Sequence, residues 1–334
     1  MSVRIAINGF GRIGRGVLRA MIERGSALEL VAVNDLTEDH ALAQLYNFDS
    51  VYGRPAKRMT AEENELVIDD RRIRVLGERD PELLPWKTLG VDVVLESTGR
   101  FTTHEAASAH LRAGAGRVLV SAPCTDADVT LVRGVNDGAF DPAAHRILSS
   151  ASCTTNALAP LAKVLHELAG IEAGFMTTVH AYTQDQQLLD GPHRDPRRAR
   201  AAAINVVPTS TGAARAIGEV LPELAGRLDG GSLRVPVPVG SLVEINARVG
   251  RTVRIGELHA RYAAMAAGDL AGILEFSTDP LVSSDIVGNP ASSIFDSGLT
   301  RVLDDQVHVA SWYDNEWGFS NRVVETMEMV GTAA

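Results

Sequence analysis

The sequence predicts an α/β protein whose first half is a doubly wound sheet, and two observations carry that expectation. An apolar run, Val3-Arg4-Ile5-Ala6-Ile7, leads directly into Gly9-Phe10-Gly11-Arg12-Ile13-Gly14, and Val17, Leu18, Met21 and Ile22 then mark one face of a helix. Strand-like runs follow at 28–33, 91–95, 117–121, 129–132 and 147–149, spaced as in parallel strands joined by crossover helices. Residues 65–75, with Asp69-Asp70 in the middle, read as a hairpin insertion.

The strand, glycine turn and helix together form a Rossmann-type dinucleotide signature. Gly9 permits the tight turn, Gly11 lets the backbone approach a pyrophosphate, and Gly14 lets helix and strand pack closely. Asp35 closes the second strand about 20 residues after Gly14, where a carboxylate holds the ribose hydroxyls and repels a ribose phosphate. No arginine follows in Leu36-Thr37-Glu38-Asp39, so NAD is favoured over NADP. Thr98 and Ser121 lie at the carboxyl ends of two further strands and are candidates for lining the same crevice.

Composition narrows the function classes. The chain has 334 residues, 45% hydrophobic and 22% charged, enough for two domains with a sizeable core. A net charge of −10 weighs against nucleic acid or an anionic membrane as the main partner. Two cysteines, Cys124 and Cys153, and an opening without a charged-then-apolar leader point to a reducing compartment, the cytoplasm by default. No apolar run approaches the roughly 20 residues that span a bilayer.

The most informative stretch is Ser149-Ser150-Ala151-Ser152-Cys153-Thr154-Thr155-Asn156. Leu158, Leu161, Leu165 and Leu168 recur at helical steps behind it, so a helix begins near Cys153 with Ser152 as its cap, and its positive end favours thiolate. Pro160 is expected close to the first turn, or else to kink the helix. Taken alone, Cys153 is as well explained as a small buried hydrophobe.

Partners elsewhere in the chain raise the reactive reading. A β-branched run at 175–179 delivers His180 to a strand end, ahead of the irregular segment Ala181-Tyr182-Thr183-Gln184-Asp185. The basic stretch His193-Arg194-Asp195-Pro196-Arg197-Arg198-Ala199-Arg200 suits a phosphate, a nucleic acid or a neighbouring subunit, and a subunit contact is favoured. Thr209-Ser210-Thr211-Gly212-Ala213-Ala214 fits an anion held by backbone N–H groups, or a simple helix cap. Arg234, set in an apolar strand, needs an anionic partner, and a substrate phosphate would serve. The tail, Trp312 to Phe319, runs into a docked helix with Val323, Val324, Met327 and Val330 on one face.

Four of these segments together resemble phosphorylating glyceraldehyde-3-phosphate dehydrogenase over essentially the whole chain. They are Asn8 to Arg15, Ala151-Ser152-Cys153-Thr154-Thr155-Asn156, His180-Ala181-Tyr182-Thr183, and Trp312 to Asn321. The resemblance implies an NAD-binding domain over 1–152, completed by a C-terminal helix over 316–334. It also implies an α+β catalytic domain with a mixed or antiparallel sheet over 153–315. By the same likeness Cys153 is the nucleophile that forms a hemithioacetal and then a thioester, and His180 is its base. Arg12, Ile13, Asp35, Arg79, Ser121 and Asn315 match cofactor positions, with Asn315 on the carboxamide. Thr183, Asp185 and Arg234 match the pocket for the substrate phosphate, and Ser152, Thr154, Thr211 and Gly212 match the site of the attacking inorganic phosphate. A homotetramer assembled through the loop at 181–203 is implied as well, and no metal.

The chain departs from the usual family pattern at Ser150, at Val237-Pro238-Val239-Gly240-Ser241 and at Cys124-Thr125-Asp126, none of which carries a named catalytic role. An erythrose-4-phosphate dehydrogenase is the nearest rival, and His180-Ala181-Tyr182-Thr183 with the 209–212 segment argues against it. A non-catalytic binding protein is a second rival, opposed by the intact cysteine, histidine and both anion sites.

Overall fold

The computed structural model describes residues 2–333 and divides into two compact units. The first unit runs to Leu131, resumes over Asp137–Ala151, and takes the chain again from Ser320. Val132–Asn136 and Ser152–Phe319 make up the second.

A nine-stranded sheet forms the first unit, and its parallel core runs in the order Arg71–Leu76, Glu29–Asn34, Arg4–Asn8, Val93–Glu96, Arg117–Val120, Ile147–Ser149. Strand order reverses about Arg4–Asn8, which places the carboxyl ends of Arg4–Asn8 and Val93–Glu96 side by side, where such sheets bind ligands. Near-continuous apolar runs make these strands: Ile5, Ala6, Ile7, Val93, Val94 and Leu95 are all fully buried, as a sheet covered on both faces demands. The 65–75 insertion is a hairpin, Glu65–Ile68 against Arg71–Leu76, and its second strand joins the main sheet parallel to Glu29–Asn34.

The C-terminal helix, Trp317–Thr332, carries fully buried Val323, Val324, Met327 and Val330. Polar clasps fix the part that belongs to the first unit. Arg24 pairs with Glu325 at 2.8 Å, Ser26 Oγ donates to Glu328 at 2.6 Å, and Arg117 donates to the Val330 carbonyl at 3.0 Å.

An eight-stranded mixed sheet forms the second unit. Its order is Val207–Thr209, Leu228–Val235, Ile171–Ala181, Ser241–Val249, Gln306–Tyr313, Ser293–Asp296, Leu274–Ser277, with Arg301–Leu303 paired to Gln306–Tyr313. Ile171–Ala181 and Leu228–Val235 run parallel, so their ends emerge together and set His180 opposite Arg234 in register. Burial alternates along Ser241–Val249, which shows one face on the core and one outward.

Behind the sheet lies the helix Cys153–Ala169, and Ser152 caps it by accepting from the Thr155 N–H at 3.0 Å. Pro160 falls inside this helix, about two turns from its start and so beyond the first turn, and the helix runs on through it. Ala157, Leu158, Leu161, Ala162 and Leu165 around it are fully buried, and that burial outweighs the one backbone hydrogen bond a proline removes.

Candidate active site

In the first unit the candidate site is made of backbone. Gly9 adopts φ +94°, and a β-carbon there would lie 2.7 Å from the Thr98 nitrogen. A β-carbon on Gly14 would run into the Gly9 carbonyl oxygen and crowd Ile7 at 3.1 Å. Gly11 differs from both, since no atom lies within 4 Å of where its β-carbon would stand. Protein therefore fills the space at two glycines and leaves it open at the third, as the approach of a pyrophosphate requires. Gly11 also caps the helix Arg12–Arg24 without a side chain, and no acidic residue stands in the first turn, so this helix terminus suits an anion.

The other cofactor candidates of this unit surround that turn. Asp35 accepts from Phe10 N–H and from Thr37 N–H, both at 2.9 Å, so one carboxylate is tied to the glycine turn and to its own loop. Ile13 lies in the first turn of the helix. Arg12 pairs with Asp49 at 2.6 Å and lies over the Tyr52 ring. Arg79 is exposed, and its N–H donates to Glu78. Ser121 Oγ donates to the Glu96 carbonyl at 3.1 Å, and Thr98 gives both its N–H and its hydroxyl to the Glu96 carboxylate.

Glu96 was not singled out in the sequence, yet it is the hub of this corner. Its carboxylate also accepts from Asn8 Nδ2 at 2.6 Å and meets His110 Nε2 at 3.1 Å, with both partners buried. Its place at the carboxyl end of a buried strand was the available signal.

The second unit builds its site from side chains far apart in sequence. Cys153 opens its helix, His180 is the penultimate residue of Ile171–Ala181, and Sγ and Nε2 stand 3.4 Å apart. His180 Nδ1–H donates to the Ala181 carbonyl at 2.6 Å, which assigns the tautomer and turns the Nε2 lone pair toward sulfur. Burial, reinforced by the Arg234 charge, pushes the imidazole down to about 3. Burial likewise pushes the Cys153 thiol up, against the opposing pull of Arg234 and of the Thr154 N–H. Both shifts favour a neutral thiol facing a neutral imidazole.

Arg234 is the cation of this site. It donates to Thr183 Oγ1 at 2.6 Å and to the Ala181 carbonyl at 3.4 Å, and its buried Nε has no partner among the described residues. Asp185 accepts from the Thr183 hydroxyl and from Arg198. Burial works against that carboxylate, but Thr183, Arg234 and Arg198 outweigh it and hold its pKa below the usual range.

Arg198 was not singled out within the basic stretch. Within the chain it turns from the basic loop toward Asp185, and its Nε donates to Thr209 Oγ1 at 2.8 Å. The signal was its position in the only dense basic stretch of an acidic chain. Thr211 Oγ1 accepts from Ala213 N–H at 3.2 Å, and Gly212 precedes the helix Ala213–Val220. Thr154 is buried and its hydroxyl lies 2.8 Å from that of Tyr313, which also meets Thr178. Asn315 is buried as well, with Oδ1 accepting from Gly240 N–H at 3.2 Å.

Two family models match this chain, described as the NAD binding domain and the C-terminal domain of glyceraldehyde 3-phosphate dehydrogenase, over residues 3–104 and 152–315. A glyceraldehyde-3-phosphate dehydrogenase of Kitasatospora aureofaciens is 66% identical over 98% of both chains. One of two such enzymes from Streptomyces arenae is 56% identical over the full length of both, and that of Mycobacterium leprae is 56% identical over 99%. The chain belongs to the glyceraldehyde-3-phosphate dehydrogenase family.

Membership in this family makes the chain an NAD-dependent oxidoreductase of α/β fold, with a Rossmann cofactor domain and a catalytic domain. Among the described residues no helix is long and apolar enough to cross a membrane, and no cluster of His, Cys, Asp or Glu is placed to hold a metal ion.

Proposed function

We propose that this chain catalyses the NAD-dependent oxidative phosphorylation of D-glyceraldehyde 3-phosphate to 1,3-bisphosphoglycerate. The 3.4 Å approach of Cys153 Sγ to the Nε2 of a histidine whose other nitrogen is already committed carries this reading. In the proposed sequence His180 takes the thiol proton as sulfur adds to the aldehyde carbon and passes it to the resulting alkoxide oxygen, which gives a neutral hemithioacetal and frees Nε2 again. His180 then takes the hydroxyl proton as the carbon loses hydride, leaving a thioester on Cys153. NAD, when bound, supplies the hydride acceptor. Inorganic phosphate attacks the thioester carbonyl, and the tetrahedral adduct collapses with Sγ as leaving group, which releases the acyl phosphate and returns the thiolate.

Each residue set has a part in the proposal. Gly9, Gly11 and Gly14 with Arg12 and Ile13 would receive the pyrophosphate, and Asp35 the ribose, with Arg79, Thr98, Ser121 and Asn315 around the rest of the cofactor. Thr183 and Arg234 would hold the substrate phosphate, with Asp185 fixing both Thr183 and Arg198. Ser152, Thr154, Thr211 and Gly212 would place the attacking phosphate, with Thr154 acting through its backbone because its hydroxyl is engaged with Tyr313.

The proposal extends to a cytoplasmic homotetramer. Leu188 and Leu189 on the 181–203 loop are 77% and 76% exposed, and Ile204 just beyond it is 79% exposed, which supports a subunit contact there. NADH formation from glyceraldehyde 3-phosphate should require inorganic phosphate. A rate indifferent to phosphate would refute the thioester route, and turnover on erythrose 4-phosphate alone would replace the substrate.

A further inference from the structure

Ser241 is fully buried at the head of Ser241–Val249, and its hydroxyl is engaged in two directions. Oγ accepts from the Ala181 N–H at 3.1 Å and donates to Asn315 Oδ1 at 3.0 Å. The sheet explains how these groups meet, because Ser241 pairs with Tyr313 across the antiparallel ladder and Asn315 follows two residues later.

The Ala181 backbone is held at its carbonyl too. Its carbonyl receives His180 Nδ1–H and the Arg234 guanidinium. The backbone of one residue, Ala181, and one hydroxyl therefore link the catalytic imidazole and the substrate-site arginine to the Asn315 amide. Gly240 N–H adds a second donor to the same Oδ1. Gly240 stands at φ +89°, and a β-carbon there would collide with the Ser283 carbonyl, so the backbone that aims this N–H is closely set.

We propose that Ser241 is a positioning residue that couples the amide of Asn315 to the Ala181 backbone, and so to the carbonyl that sets the His180 tautomer. The inference rests on the reading of Asn315 as the cofactor's carboxamide contact. With Oδ1 held by two donors, the amide NH2 is the end left to donate to a ligand, and its direction is fixed. Without the Ser241 hydroxyl the amide keeps one tether and the buried Ala181 N–H loses its acceptor.

The test is equilibrium binding of NAD by calorimetry to the wild type, Ser241→Ala, Asn315→Ala and the double variant. Asn315→Ala should weaken NAD about tenfold or more and Ser241→Ala about fivefold, and the double variant should be no weaker than Asn315→Ala, since Ser241 acts through Asn315. Ser241→Thr, which keeps the hydroxyl, should restore most of the affinity. Alkylation of Cys153 by iodoacetamide without NAD reads the other end, and Ser241→Ala should slow it and move its pH midpoint. Additive losses of NAD affinity, or wild-type alkylation in Ser241→Ala, would overturn the coupling. Wild-type NAD binding by Asn315→Ala would instead overturn the reading of Asn315 on which it stands.

Discussion

The candidate cofactor site of the first unit and the thiol–imidazole pair of the second are built of different material. At the glycine turn the surface offered to a ligand is backbone, and what matters is where β-carbons are absent: two glycines are needed by the protein's own packing and Gly11 is left open. At Cys153 the backbone only delivers. A helix start, two strand ends and a basic loop bring Cys153, His180, Arg234 and Arg198 together, and function lies in tautomer, charge and burial. A backbone site is thus contiguous in sequence and tolerant of its side chains, whereas a side-chain site is dispersed and sensitive to each one.

The largest expected effect falls on the side-chain site. His180→Asn should lower turnover by about 10²–10⁴-fold. It should also slow alkylation of Cys153 at neutral pH, because the thiol loses its proton acceptor while burial still holds it up. Near-normal turnover would show that the 3.4 Å contact is only packing.

Next come two glycines, which separate packing from ligand approach within one motif. Gly14→Ala should destabilise the fold by about 1–3 kcal/mol in urea unfolding, since its β-carbon meets backbone. Gly11→Ala should change stability by no more than about 0.5 kcal/mol and yet weaken NAD binding about tenfold. Equal stability losses at both would erase the distinction between them.

The last effect is spread over several pH units and falls on the stability of the fold. Burial lowers the His180 pKa from its ordinary 6.5 to about 3 on folding, so below pH 6.5 the unfolded chain binds a proton that the folded chain refuses. Stability is therefore lost as pH drops from 6.5 toward 3, by about 1.4 kcal/mol per unit once well below 6.5. His180→Asn should flatten that part of the curve, and an unchanged slope would show that the imidazole is not held neutral.

Legibility followed the same division. The glycine turn, Asp35 and the strand ends at Thr98 and Ser121 could be read from local pattern, because each is fixed by neighbours in the chain. Ser152 as cap was equally local. Glu96 could not be read in this way, since its partners Asn8 and His110 meet it only across the sheet. Arg198 was read only as part of its basic stretch because charge patterning cannot show which one of several arginines turns toward Asp185. Pro160 lies beyond the first turn, the first of the two places open to it, since local propensity says nothing of the burial of the helix around it. The pairing of Cys153 with His180 came from resemblance, as no spacing in the sequence brings residues so far apart together.

The central claim is a covalent step at Cys153 served by His180, and it is tested most directly by mixing enzyme, NAD and glyceraldehyde 3-phosphate without inorganic phosphate. The account predicts a stoichiometric burst of NADH followed by arrest, with the acyl group found on Cys153 by mass spectrometry and release on adding phosphate, and none of this in Cys153→Ser. Continued NADH formation without phosphate, or a burst that survives in Cys153→Ser, would contradict it.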